Sequence, residues 1–319
     1  MVKRKCRWKM LLLCLLTAAV CFALSLKFAG ELLSLKQRIY QKITTVTAKE
    51  EPSAPETDFS DFAPRVYTGG EWFQKTNLIS HACGGIDGIT YTNSREALEL
   101  ALENGHRCIE VDFAFTTDEK LVCVHDWEQF GTMVPGQDWE RQGSLQGCAY
   151  DYYQNLKICG RYSPLSAEEL VAYMEQYPEL YVMVDTKYDL QQVMTALVKL
   201  APTDEIRNRL IIQVYAPGEK QAVRSIYPFP EENFLLTLYK LGIDAAEDIL
   251  PICRDDNIPV VTAPLGSLSR QTLEELREKN LVIYEHTENR LDQARIVMDS
   301  GVRGVYTDFL TPDLFRDAN

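Results

Sequence analysis

The chain has 319 residues, of which 46% are hydrophobic and 25% charged, a composition that excludes disorder over most of its length. Its net charge of −13 combines +6 in residues 1–27 with −19 in the remainder. Because so acidic a body repels polyanions, we expect no nucleic-acid partner, and a phosphorylated substrate requires a divalent cation or well-placed basic side chains. The acidity equally suits the solubility of an exported domain.

A basic cluster and an apolar stretch open the chain. Residues 10–26 are almost entirely apolar and follow five basic side chains in residues 1–9. As a helix at about 1.5 Å per residue, the stretch spans roughly 25 Å, the low end for crossing a bilayer. No small-x-small cleavage site follows. The pattern therefore favours a transmembrane signal anchor over residues 1–27, with a cytoplasmic N-terminus and an extracellular body, and a secreted protein is the alternative.

Residues 28–76 are predicted to form a stalk and linker. Apolar residues in 28–42 have helical spacing, whereas residues 47–64 are rich in proline, serine and acidic residues. The folded body is expected to cover residues 77–319.

The body alternates short apolar runs with amphipathic stretches, for which Ser94, Ser166 and Asn289 are predicted helix N-caps. Nine strand candidates in about 240 residues predict an α/β fold, a TIM-type (β/α)₈ barrel with one strand as a hairpin partner or an extra. A doubly wound open sheet is the alternative, weakened by the absence of a glycine-rich phosphate loop. The strand candidates are residues 77–82, 108–115, 121–126, 180–187, 209–215, 233–239, 258–263, 281–286 and 304–308.

Residues 127–160 form a long aromatic-rich insertion after the third strand. Its aromatic side chains, Trp127, Phe130, Trp139 and Tyr150 among them, either hold a substrate head group or form a small satellite core. Cys148 and Cys159 flank a loop in it, where a disulfide is possible in an exported domain.

Polar residues at strand ends mark the predicted site, because functional groups of a parallel barrel gather at the carboxyl ends of its strands. Three of the four histidines lie there, and the i, i+2 spacing of one Glu–Asp pair puts both carboxylates on one strand face. Such a buried pair is costly without a cation, and Mg²⁺ and Ca²⁺ favour carboxylate oxygens. The residues predicted for the site are His81, Glu110, Asp112, His125, Asp185 and Lys187, and the third strand-end histidine is His286.

Spacing alone leaves other functions open. A strand-end histidine is often only a hydrogen-bonded structural residue. A glycoside hydrolase uses two carboxylates about 5–9.5 Å apart, but it does not account for the two histidines His81 and His125.

The segment 81–126 resembles the glycerophosphodiester phosphodiesterase family. The family's strand motifs appear as Ile109-Glu110-Val111-Asp112 and Val122-Cys123-Val124-His125-Asp126, and later as Val184-Asp185-Thr186-Lys187 and Gly301–Asp308. The resemblance extends over about residues 78–312. It implies a TIM barrel that binds Ca²⁺ or Mg²⁺ through Glu110, Asp112 and Asp185. It also implies that His81 and His125 are the acid/base pair and that Lys187 lies near the substrate phosphate.

The implied reaction is metal-dependent hydrolysis of glycerophosphodiesters to glycerol 3-phosphate and an alcohol. The alternatives are phospholipase C- or D-like cleavage of lysophospholipids or phosphatidylinositol-type lipids, and a non-catalytic phosphodiester-binding domain. Ala82 stands where the family has an arginine, and Asp185 where it usually has glutamate. The Gly84–Gly85 pair either offers backbone N–H groups to phosphate or makes a tight turn.

Overall fold

Eight parallel strands close into a barrel in the computed structural model, which describes residue 59 and residues 61–316. The neighbour order is β1-β9-β8-β7-β6-β5-β4-β2, and the pairing of Ser80 with Ile109 closes the ring. The predicted TIM-type barrel is confirmed, and β3 is the hairpin partner, antiparallel to β2. The strands are β1 (Leu78–Ser80), β2 (Cys108–Phe115), β3 (Leu121–Cys123), β4 (Tyr181–Thr186), β5 (Leu210–Val214), β6 (Phe234–Thr237), β7 (Val260–Pro264), β8 (Val282–His286) and β9 (Gly304–Thr307).

The helices of the described residues form the outer layer and the insertion. Ser94 and Ser166 are N-caps as predicted, and Ser166 forms a capping box with Glu169. In chain order the helices are α1 (Trp72–Lys75), α2 (Arg95–Glu103), α3 (Trp127–Met133), α4 (Trp139–Gln142), α5 (Tyr150–Tyr153), α6 (Ala167–Gln176), α7 (Leu190–Leu200), α8 (Asp204–Arg207), α9 (Glu219–Arg224), α10 (Ala246–Asp255), α11 (Arg270–Glu278), α12 (Leu291–Asp299) and α13 (Pro312–Arg316), with short 3-10 turns at His81–Cys83 and Glu231–Asn233.

Inward-facing side chains of the strands fill the lower barrel with an apolar layer. Met183, Leu235, Tyr284 and Tyr306 belong to it and are almost fully buried. Because strand side chains alternate between the two faces, the residues two positions further along each strand also face inward, toward the mouth. These mouth-facing residues include Asp185, Thr237, His286 and Asp308.

The folded unit begins before the predicted boundary at residue 77. Trp72 and Phe73 of α1 are each 1% exposed and pack under the barrel floor. The Trp72 ring stacks on Tyr284 at 5.6 Å between ring centroids, and the Tyr284 hydroxyl donates to the Thr76 carbonyl. Burial of two large aromatic side chains stabilises this end of the predicted linker as part of the barrel domain.

The aromatic residues of the insertion form a satellite core. Trp127, Phe130 and Tyr153 are at least 96% buried and pack on each other beside the β2–β3 hairpin. These rings are therefore structural. Cys148 and Cys159 are free, as are the other four cysteines of the described residues.

No helix of residues 61–316 combines the length and the apolar character needed to cross a bilayer. The predicted signal anchor at residues 1–27 lies outside the described residues.

Candidate active site

Three carboxylates converge at the mouth of the barrel. Glu110, Asp112 and Asp185 each offer an oxygen, and these oxygens lie within 4.8 Å of one another. The strand register explains the convergence, because Asp112 on β2 pairs directly with Asp185 on β4. The shorter Asp185 side chain, in the place of the family's usual glutamate, still reaches the cluster.

A strained turn after β1 orients the first carboxylate. Ala82 and Cys83 have φ values of 49° and 67°, in the left-handed region that non-glycine residues rarely adopt. The turn aims the Ala82 N–H at Glu110 Oε2, 2.7 Å away. The N–H groups of Gly84 and Gly85 donate to the carbonyls of His81 and Asp308, both at 2.7 Å. The glycine pair therefore makes a tight turn, and its N–H groups are not offered to a phosphate.

Asn93 orients the second carboxylate. Its Nδ2 donates to Asp112 Oδ2 at 2.8 Å, and its Oδ1 accepts the Asp112 N–H at 3.2 Å. The side chain is fully buried, so this two-point contact is shielded from water. The site residues chosen from the sequence did not include Asn93. Its position directly before the Ser94 N-cap, in the family's asparagine-containing helix start, was the available signal.

The donor set fits a divalent cation. Glu110 Oε1 is buried and has no hydrogen-bond partner among the described residues. Burial raises the pKa of Glu110 well above its usual range, and Asp112 and Asp185 add to the shift. Burial and Asp112 together raise the pKa of Asp185 to about 6. A cation bound between these oxygens relieves both the desolvation and the repulsion, and hard carboxylate oxygens suit Mg²⁺ or Ca²⁺.

His81 is held by a carboxylate from the far end of the chain. Its Nδ1 lies 2.9 Å from Asp308 Oδ1, and both groups are largely buried. A carboxylate only accepts, so Nδ1 carries the proton and Nε2 is left for the mouth. Asn289 donates to Asp308 Oδ2 at 2.8 Å and accepts the Asp308 N–H at 2.7 Å. Because its amide is engaged there, Asn289 is not the predicted N-cap, and Arg290 stands at that position.

The carboxylate of Asp126 lies next to both His125 and Lys187. Asp126 Oδ2 lies 2.9 Å from His125 Nδ1, though at an angle that makes no hydrogen bond, and it accepts from Lys187 Nζ at 2.8 Å. Asp126 is itself fixed as the N-cap of α3 by the N–H of Gln129 at 2.7 Å. The Lys187 side chain is 50% exposed, so its charge is accessible at the mouth. All six residues predicted for the site thus lie at this end of the barrel.

The ring of Tyr91 contacts both histidines. Its centroid lies 4.6 Å from that of His81 and 4.9 Å from that of His125. Burial raises the pKa of the Tyr91 hydroxyl to about 12, and Asp112 and Glu110 act in the same direction, so the ring is neutral. Tyr91 belongs to a loop with φ of 58°, and no strand or helix pattern marks it in the sequence.

The mouth has two unlike halves. The catalytic half is formed by β1 to β4 and β9 and carries the carboxylates, His81 and His125. The opposite half is formed by β5 to β8 and presents aromatic residues, with Tyr239 68% exposed and its ring centroid 5.7 Å from that of His286. Burial, assisted by the charge of His81, lowers the pKa of His286 to about 4. Lys240 adds a cation to this half: its Nζ lies 3.9 Å from the centroid of the Tyr215 ring, and its charge partly offsets the raised pKa of Asp185.

The model of the glycerophosphoryl diester phosphodiesterase family matches residues 85–311. Among curated protein sequences there is no match.

Three solved structures illustrate the likeness in fold. A Silicibacter pomeroyi protein assigned as a glycerophosphoryl diester phosphodiesterase has 16% identity and a TM-score of 0.61, over 76% of this chain and 93% of its own. An Oleispira antarctica phosphodiesterase in complex with the product sn-glycerol-3-phosphate has 14% identity and a TM-score of 0.57, over 73% and 93%. A glycerophosphodiester phosphodiesterase from Parabacteroides distasonis has 16% identity and a TM-score of 0.56, over 76% and 95%. At these identities the likeness shows the fold alone.

Proposed function

This chain belongs to the glycerophosphoryl diester phosphodiesterase family, a family of phosphoric diester hydrolases, and from that premise we propose that it cleaves glycerophosphodiesters into glycerol 3-phosphate and an alcohol. The Oleispira relative bound to sn-glycerol-3-phosphate supports this product. The observation that carries the proposal is the convergence of three carboxylates, with one oxygen of Glu110 unpaired among the described residues, next to the turn that bears His81.

Glu110, Asp112 and Asp185 would hold a divalent cation, Mg²⁺ or Ca²⁺. When bound, the cation supplies positive charge against the negative charge that builds on the phosphoryl oxygens. The Ala82 N–H and the Asn93 amide fix two of the three carboxylates before any ligand arrives, so little reorganisation is needed.

The two histidines would move the protons of the reaction. One of His81 and His125 takes the proton of the attacking hydroxyl, and the other gives a proton to the leaving alkoxide oxygen. His81 is preset for this task because Asp308 fixes its tautomer and leaves Nε2 toward the mouth. The attacking hydroxyl belongs either to water, which gives glycerol 3-phosphate directly, or to the substrate's own glycerol, which expels the alcohol and forms a cyclic phosphate that water then opens.

Lys187 would bind the phosphate. No arginine follows His81, and the N–H groups of Ala82, Gly84 and Gly85 are all engaged within the protein. Lys187 is half-exposed and anchored on Asp126 beside His125, so its ammonium group takes over part of the missing arginine's charge.

A substrate panel tests the activity. The full-length chain is assayed with glycerophosphodiesters, lysophospholipids and a phosphatidylinositol-type lipid, each with and without EDTA. We expect hydrolysis of a glycerophosphodiester that EDTA abolishes and that added Mg²⁺ or Ca²⁺ restores. Cleavage of the lipids alone would favour the phospholipase-like alternative, and binding without turnover would favour a non-catalytic domain.

We further propose that the barrel is displayed outside the cell on an uncleaved signal anchor at residues 1–27. The basic residues before the apolar stretch support this orientation. The N-terminal sequence of the mature protein tests it, since a mature chain that begins after residue 26 would be a secreted one.

A further inference from the structure

His286 is a strand-end histidine that the proposed chemistry does not use. It is the last residue of β8 and pairs in register with Pro264, the last residue of β7. Tyr284 lies inside the barrel with no exposed surface, so alternation places the His286 side chain inward as well, one layer nearer the mouth. Its imidazole contacts the Tyr306 ring at 5.3 Å between centroids.

Tyr239 reaches over the mouth toward this imidazole. It follows β6, whereas His286 ends β8, and β7 lies between the two strands. The Leu238 N–H donates to the Thr262 carbonyl on β7, which fixes the chain directly before Tyr239. The Tyr239 ring therefore crosses the end of β7 to reach His286, and yet 68% of the residue stays exposed. An aromatic ring held in this way offers a free face to a ligand.

The charges around Tyr239 and His286 restrict which chemical groups these two side chains can bind. Burial keeps the pKa of His286 near 4, so at neutral pH the imidazole has one N–H donor and one nitrogen acceptor. The neighbouring Glu285 carboxylate is buried and accepts the Gly266 N–H at 2.9 Å, so it is engaged away from the pair. Lys240 follows Tyr239 in the chain, and its Nζ lies 3.9 Å from the centroid of the Tyr215 ring just after β5. Its charge partly offsets the raised pKa of Asp185, so it acts within the mouth and repels a cationic group there.

We propose that Tyr239 and His286 form the subsite for the leaving alcohol, and that this alcohol is a hydroxylated ring or polyol, such as a cyclitol or a sugar. The inference rests on the proposed function. With the phosphate over the catalytic half, a substituent on phosphorus extends across the mouth to the opposite half. A ring polyol lays its C–H face on the tyrosine, and its hydroxyls both donate to and accept from a neutral imidazole. A quaternary ammonium head group would meet Lys240, and an acyl chain would leave the imidazole unpaired.

Kinetic discrimination between two leaving groups tests the subsite. The full-length chain is assayed with glycerophosphoinositol and glycerophosphocholine as wild type, Tyr239→Ala, Tyr239→Phe and His286→Phe. For the inositol diester we expect Tyr239→Ala and His286→Phe each to lower kcat/KM about tenfold, mainly through KM. Tyr239→Phe keeps the ring face and should stay near wild type. Ile296→Ala, an exposed apolar truncation on the outer helix α12, is the matched control and should change neither substrate.

The outcomes separate this proposal from the proposed function. Equal losses on both diesters, or a wild-type preference for the choline diester, would overturn the polyol subsite while leaving the hydrolase intact. Saturation-transfer NMR with free myo-inositol needs no turnover. A signal in the wild type that Tyr239→Ala removes supports the subsite even if no diester in the panel is cleaved, and absence of the signal in the wild type counts against it.

Discussion

In both the catalytic half and the opposite half of the barrel mouth, the alternation of strand side chains decides which residues face inward. The two halves differ in the chemical character of those residues. On β2 and β4 the inward positions hold Glu110, Asp112 and Asp185, buried acids whose charges repel one another. Just after β6 and at the end of β8 they hold Tyr239 and His286, an exposed ring and a neutral imidazole.

Between the two halves, backbone strain and buried charge are concentrated in the catalytic half. The catalytic half relies on positive-φ residues, a fully buried Asn93 and the long-range contact of His81 with Asp308 to hold its groups before a cation is bound. The opposite half shows no comparable crowding of charge. We therefore expect changes in the first half to reduce the rate, and changes in the second to alter substrate preference.

The largest effect should follow Glu110→Gln. Loss of one charged ligand removes most of the cation's stabilisation of the transition state, so kcat/KM should fall on the order of 10⁴-fold. Glu285→Gln is the matched control, because its side chain also lies buried near the end of a barrel strand but only accepts the Gly266 N–H, which an amide oxygen can do. Similar activities of the two variants would refute the assignment of the cation to the carboxylate cluster.

Single replacements of the histidines come next. His81→Ala and His125→Ala should each lower kcat by on the order of 10²- to 10³-fold, because each removes one proton-transfer group. His106→Gln, at a buried histidine that is bonded to the Leu310 carbonyl and has no role in the proposed proton transfers, is the control and should keep its kcat at pH 7.5. Unchanged kcat in both alanine variants would end the acid/base mechanism.

Asp308→Asn should have a smaller effect on rate, roughly 10- to 100-fold in kcat with KM unchanged. The asparagine amide can donate to Nδ1 of His81, and that contact favours the tautomer with the proton on Nε2, the opposite of the tautomer that Asp308 fixes. Asp292→Asn on the exposed face of α12 is the control. A change in KM alone, with kcat intact, would show that Asp308 serves binding rather than the orientation of His81.

The last prediction concerns stability and not catalysis. Because His106 destabilises the folded state when it is protonated, it helps to distinguish unfolding in acid from damage to the active site. Burial lowers the pKa of His106 from 6.5 to about 4. The unfolded chain protonates His106 more readily than the folded one. The contribution of the neutral imidazole to the free energy of unfolding, about 3 kcal/mol, is therefore full above pH 6.5 and is lost as the pH falls toward 4. When the free energy of unfolding is measured with urea at several pH values, it should depend less steeply on pH in His106→Gln than in the wild type. An unchanged pH dependence would contradict this.

Much of the molecule follows from short-range patterns. Nine apolar runs predicted the barrel with one strand as a hairpin partner or an extra, and β3 is the hairpin partner of β2. Glu110, Asp112 and Asp185 lie at the mouth because a period of two fixes which face of a strand each residue occupies. His81, His125 and Lys187 follow the last residues of β1, β3 and β4 by one or two positions.

Other features depend on contacts that no local pattern encodes. Asp308 meets His81 across 227 positions, and Asn93 and Tyr91 lie in loops with positive φ, where neither helical nor strand periodicity applies. Trp72 and Phe73 follow a proline-rich segment that resembles a linker, and only the open floor of the barrel explains their burial. Packing between distant segments decides each of these cases.

The contact of Tyr91 with both imidazoles has a consequence for the proposed acid/base mechanism. An acid and a base in direct contact would exchange their proton and lose the difference between them. The centroid of the neutral Tyr91 ring lies 4.6 Å from that of His81 and 4.9 Å from that of His125. In that mechanism each histidine would recover its starting protonation state through substrate or solvent, and the Tyr91 ring would limit direct proton exchange between the two imidazoles.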